Sequence, residues 1–167
     1  MIPKTVLTFL NKNRIKHEVV EHRTVFTALD KAATLHVDPG RVVKTVVFLA
    51  GKKHPFLVSV PASKHIDKAR VKTAVNVWLR KRSQKPEKVV DFATEPWMKK
   101  NLPGDIGPTP PYPEVLRIPM LADNSLFKLP KLYLNGGDYE HSLLVNQAAF
   151  KKILGENFVK GPFAKGE

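Results

Sequence analysis

The chain contains no cysteine in its 167 residues. That absence excludes disulfide staples, thiolate metal sites and a cysteine nucleophile together, so the fold must stand on its hydrophobic core. No apolar run approaches the roughly 20 residues a membrane span needs. The opening MIPKTVLTFLNKN has an early lysine and a short apolar stretch but no small-residue cleavage site. No membrane partner and a cytoplasmic location are therefore expected. Acidic residues are scarce: 15 Asp and Glu stand against 28 Lys and Arg, a formal charge of +13. An excess of that size exceeds what solubility requires and points to a polyanionic partner. With 43% hydrophobic and 26% charged residues, the composition is that of an ordinary globular protein. A chain this long can bury roughly two-thirds of the surface it exposes when unfolded, and residues 1–167 read as one domain without repeats or a dividing linker.

Periodicity places a short helix at 4–13, a strand within IKHEVVEH, and a helix over TALDKAATL with Thr27 as N-cap. VVKTVVFLA and PFLVSVP read as a hairpin turning at Gly51. The stretch 63–88 holds at least one helix and the densest positive charge. KVVDFA suggests a strand and TEPWMKKN a helical turn. LPGDIGPTPPYP has five prolines and two glycines in twelve residues, which forbids helix and central strand. EVLRIPMLA is a further strand candidate, broken by Pro119, and KLYLNGGDYEHSLLV gives two strands about Gly136 and Gly137. NQAAFKKILG closes as a helix capped by Asn146, and the last dozen residues read as frayed. Strands mixed irregularly with short helices indicate an α+β fold.

Several familiar chemistries are excluded by spacing. His17 and His22 stand five apart, not the four that H-E-x-x-H needs, and no metal site is expected. AGKKHP lacks the upstream glycine and the following Ser or Thr of a phosphate loop. None of the five serines lies in a G-x-S-x-G elbow. No cofactor is called for.

Lys44 is the anomaly. It shares a strand face with Val42, Val46 and Phe48, where an unpaired ammonium would lose its hydration. Either the lysine snorkels from the start of the strand, or it belongs to a site. The Gly104–Pro108 loop and the Gly136–Gly137 turn favour a site, because glycines can present backbone N–H groups to a ligand. A cation facing free amides receives an oxyanion or carbonyl. Lys64, Lys68, Lys72, Arg80, Lys81 and Arg82 are the candidate nucleic-acid contacts.

T-A-L-D-K-A-A from Thr27, R-V-V-K-T-V-V-F at 41–48, L-V-S-V-P-A at 57–62, H-I-D at 65–67, G-D-I-G-P at 104–108 and N-G-G at 135–137 follow one another in an order that resembles the YbaK/ProX aminoacyl-tRNA deacylases. The resemblance runs from about Ile15 to Leu154. It implies a mixed, strongly curved sheet or partial barrel flanked by short helices. It also implies trans-editing: hydrolysis of the ester on a mischarged tRNA, with release of a small noncognate amino acid. Lys44 matches the functional lysine of the family. Thr27, Thr45, Gly104, Ile106, Gly107, Pro108, Gly136, Gly137 and His141 are the candidate substrate-binding residues. Thr27 matches a threonine opening a pocket-lining helix of the family, Gly104 and Pro108 its glycine-proline loop and Gly136 with Gly137 its glycine turn, and His141 lies where some members carry a polar pocket residue. Thr109, Pro110, Pro111 and Tyr112 replace the aromatic and glycine that usually follow the loop proline. The implied partners are the aminoacylated 3′ end of tRNA and an aminoacyl-tRNA synthetase. A non-catalytic tRNA-binding or regulatory module of the same fold, and a hydrolase of small esters or amides, are the alternatives.

Overall fold

A computed structural model describes residues 1–105 and 107–166, so Ile106 lies outside the described residues. Helix α1 (Lys4–Lys12) turns Val6 and Leu10, one helical turn apart, into the core. Strand β1 (Glu18–Glu21) follows. Helix α2 (Ala28–Leu35) begins where Thr27 Oγ1 accepts the amide of Asp30 at 3.0 Å, and ends at His36 in the left-handed region. Strands β2 (Val43–Ala50) and β3 (His54–Pro61) form the expected hairpin, with Lys44 opposite Val60 and Phe48 opposite Phe56. β4 (His65–Ile66) leads into α3 (Lys68–Lys81), which Asp67 caps and which buries Val71, Val75 and Leu79. β5 (Val90–Phe92), α4 (Glu95–Asn101) and α5 (Pro113–Leu116) precede β6 (Met120–Asp123). β7 (Lys131–Asn135), β8 (His141–Asn146), α6 (Gln147–Leu154), β9 (Phe158–Gly161) and β10 (Ala164–Lys165) complete the chain.

The principal sheet runs β5-β2-β3-β6-β9. Its β2 pairs are antiparallel, whereas β3–β6 and β6–β9 are parallel. One face carries Val47, Leu57, Met120 and Ala122 into the larger core with α1 and α6. The other carries Phe48, Phe56, Val58, Val60 and Leu121 against α3. A second, antiparallel sheet, β1-β8-β7, is joined to the first at one bridge among the described residues, between Val42 and Tyr133, and shares the larger core through Leu132, Leu134, Leu143 and Val145; β4 pairs with β10. The architecture is α+β with mixed sheets, as the sequence implies. Among the described residues the strands do not close into a barrel.

Two local expectations are corrected. Residues 114–116 belong to a helical turn with Pro113 in its first position, and the strand starts only at Met120, after Pro119, which has no amide to donate. The C-terminal stretch is not frayed. Asp123 Oδ1 accepts the amides of Phe163 and Ala164 at 2.9 and 2.8 Å, and Phe163 is buried.

On the edge away from β3, β2 meets Tyr133 at Val42 and β5 from Phe48 to Ala50. Between them, from Lys44 to Val46, that edge carries no strand among the described residues. Alternation along a strand turns the peptide groups of Thr45 toward this gap.

Candidate active site

A cavity of about 210 Å³ opens at the gap. β2 contributes Lys44, Thr45 and Val46; the approach to α2 and its first turn contribute Val25, Phe26, Thr27, Ala28 and Lys31. Gly107 and Pro108 form another wall, with Asn135 and Asp138 opposite the helix. Thr27 and Lys31 are four residues apart and so share a helix face. Phe26 is well exposed and tilts against the ring of Tyr139, 5.1 Å between centroids.

Lys44 stands where this cavity meets two wider clefts. One, about 650 Å³, is lined by His65, Lys68 and Lys165 among others; the second, about 540 Å³, by Thr27, Pro39, Ser63 and Lys64. The Lys44 side chain is half-buried, and its Nζ donates to the backbone carbonyl of Lys64 at 2.7 Å. Burial lowers its pKa. The puzzle of a charged residue on an apolar strand face is thus answered by position, because the strand borders open clefts at that residue. Behind it, on the opposite face of β2, Thr45 shares a buried hydroxyl contact with Ser59 at 2.9 Å.

Lys31 is only 4% exposed, and its Nζ donates to Asn135 Oδ1 at 2.5 Å. Burial pulls its pKa down to about 8, partly opposed by the charge of Asp138. Asp138 is itself buried, which alone would raise its pKa. The Met1 ammonium, the amides of Glu140 and His141 and the His141 ring all donate to it, and they bring it down to about 2. The carboxylate on the cavity wall is therefore ionised.

The structure divides the sequence-selected residues. Lys44, Thr27, Thr45, Gly107 and Pro108 come together around the cavity. Gly104, Gly136, Gly137 and His141 stand behind it. A Cβ on Gly104, at φ +78, would lie 2.4 Å from the Gly137 carbonyl oxygen. A Cβ on Gly137 would lie 2.7 Å from Pro3 Cδ. These glycines let two loops and the N-terminal segment approach one another, and Asp105 donates its amide to Gly137 O at 3.0 Å. Their smallness serves loop packing, and they do not line the cavity. Gly104→Ala should lower stability by roughly 1–3 kcal/mol and loosen the Gly107–Pro108 wall, read as a lower melting temperature. His141 does not line the cavity but bonds Asp138, which does. Lys31, Asn135, Asp138 and Phe26 were not singled out from the sequence. The signal for Lys31 was its place one turn beyond the capping threonine. Among the described residues no group of three or more His, Cys, Asp or Glu could hold a metal ion.

The aminoacyl-tRNA editing domain model matches residues 22–153. The chain belongs to this family. A crystal structure of a protein proposed to be a trans-editing enzyme for prolyl tRNA synthetase superposes with a TM-score of 0.77 at 20% identity, covering 98% of this chain and 96% of the other. A hypothetical protein of known structure matches with a TM-score of 0.78 at 18% identity, over 96% and 99% of the two chains. A larger protein from Marinobacter aquaeolei VT8, proposed to act in signal transduction, contains the same fold in 31% of its length, with a TM-score of 0.68 and 13% identity. No curated protein matches the sequence significantly.

The basic residues of the editing domain are distributed over several features of the surface. Lys64 and Lys68 border the clefts beside Lys44, although Lys68 also pairs with Asp91 at 2.9 Å. Lys72 and Arg80 project from α3 into solvent. Lys81 and Arg82 line a separate groove of about 800 Å³ between α3 and the chain from Glu156 to Phe163, where Arg82 stacks 3.7 Å over the Trp78 ring. Among the described residues no helix is long and apolar enough to cross a membrane.

Proposed function

We propose that this editing domain is a trans-acting aminoacyl-tRNA deacylase that hydrolyses the ester between a small noncognate amino acid and the terminal adenosine of tRNA. The observation that carries the reading is the position of Lys44, at the junction of a small pocket and wider clefts edged by cations. The pocket suits a small acyl group, and the clefts suit the phosphates of the 3′ end. Ester hydrolysis requires a placed water and stabilisation of the negative charge that develops on the carbonyl oxygen, which a donor already aimed there supplies. Lys44 is the cation in position for that carbonyl or a neighbouring phosphate, and Thr27, Thr45, Gly107 and Pro108 shape the pocket. The electron pair of water forms the new C–O bond, the ester C–O bond breaks, and the ribose oxygen leaves with a proton, so no protein nucleophile is needed.

The Lys64 carbonyl already engages Lys44 and favours a second reading, a module that binds tRNA without cleaving it. Incubating the protein with a panel of mischarged tRNAs decides between them: released amino acid supports the deacylase, and binding without release supports the module. A hydrolase of small esters would act equally well on aminoacyl esters lacking tRNA. Affinity for tRNA should fall steeply with salt. Lys64→Ala with Lys72→Ala should flatten the log–log salt slope by roughly 0.7–0.9 for each phosphate no longer neutralised, measured by filter binding between 50 and 200 mM salt.

A further inference from the structure

Lys31 has a use that the deacylase reading leaves open. Its ammonium is almost fully enclosed, yet its partner is a neutral amide. Asn135 is held in the orientation that presents its oxygen, because its Nδ2 donates to the Thr109 carbonyl at 3.1 Å. Among the described residues the Lys31 ammonium makes no other hydrogen bond and no salt bridge. An ammonium has three N–H groups, so two are available. Asp138, the one carboxylate among the residues lining the cavity, is already engaged by Met1, Glu140 and His141. A cation buried without an ionic partner is costly, and an acceptor entering the cavity relieves that cost.

We propose that Lys31 is the second cation of this pocket and sets its choice of acyl group: the site takes amino acids whose side chain carries an oxygen acceptor, hydroxyl or carboxylate, over alkyl side chains of the same size. The inference rests on the deacylase reading for the way the guest is presented, and it narrows that reading's small amino acids to oxygen-bearing ones. Lys31 touches the side chain and leaves the ester to Lys44. A competing account makes Lys31 a strut that ties α2 to β7 through Asn135. The two differ in one respect: a strut affects every substrate alike.

The experiment compares deacylation of seryl- with alanyl-tRNA and threonyl- with valyl-tRNA, pairs that differ in the oxygen, by the native chain and by Lys31→Met. Because a hydrogen bond to a charged group is strong, the native chain should prefer the oxygen-bearing member roughly tenfold to a hundredfold, and Lys31→Met should bring the ratio close to one. A thermal melt verifies that the variant is folded. Binding of non-hydrolysable 3′-amide analogues of seryl- and alanyl-adenosine to the native chain gives a second readout that needs neither variant nor turnover. Equal cleavage within each pair together with equal binding of the two analogues would overturn the proposal and leave the deacylase standing. Tighter binding of the seryl analogue with no release from any tRNA would uphold Lys31 as selector and overturn the hydrolysis instead.

Discussion

Lys44→Met should hydrolyse a mischarged tRNA at least about 100-fold more slowly than the native chain, the loss seen when one donor to a developing oxyanion is removed. Methionine keeps an unbranched apolar stem of similar length, so the half-buried part of the side chain is still filled and only the ammonium is missing. The hydrogen bond to the Lys64 carbonyl disappears too, but that carbonyl belongs to an exposed residue that water can reach. Stability should therefore change by no more than about 1 kcal/mol, the net worth of one such hydrogen bond. Single-turnover deacylation and a thermal melt on the same preparation separate the two effects. Turnover equal to that of the native chain would remove Lys44 from the chemistry, and a collapse of the melt would show that its role is structural.

The second large effect is a rise in stability on the alkaline side. Burial moves the Lys31 pKa from 10.5 in the unfolded chain to about 8 in the folded one. Between those values the unfolded state holds a proton that the folded state has released, so stability increases with pH. Below about 8 both states are protonated and the folded chain bears the full cost of enclosing the charge. That cost is roughly 3 kcal/mol at pH 7, and it vanishes near pH 10.5. Asp138 and Lys44 are the charged groups that share the cavity with it. Urea unfolding at pH 7 and at pH 10 should show a larger increase in the native chain than in Lys31→Met, which keeps the contribution of Lys44 in the same direction. At pH 7 the variant sheds the burial cost but leaves the Asn135 oxygen without its donor, a penalty of about 1–3 kcal/mol, so the diagnostic is the slope and not the absolute value. The same alkaline increase in both proteins would show that another group is responsible.

What could be read in the sequence was what is encoded locally. Thr27 caps α2 through the amide three residues on, Gly51 turns the hairpin, and Asn146 caps α6, and each needs only its neighbours to declare itself. The oddity of Lys44 was visible because strand alternation defines what a neighbouring position should be. The terminal strands were not legible, since the acceptor that fixes Phe163 and Ala164 is Asp123, forty residues earlier. Lys31 was hidden for a related reason. On a helix with Asp30 and Thr34 beside it, a lysine reads as part of a solvated face, and only the arrival of Asn135 from the end of β7 encloses it. The two glycine loops were recognised as special, but their purpose depends on each other and on Pro3, which no local pattern reveals.

The unoccupied stretch of the β2 edge separates two demands that usually compete. Its surroundings are drawn from four distant parts of the chain, and the polar ones among them are not what the hydrophobic clusters rest on. Guest preference can therefore be recut by exchanging one wall at a time while the scaffold keeps its integrity, with Lys31 the exception, because there selectivity and folding share a single atom.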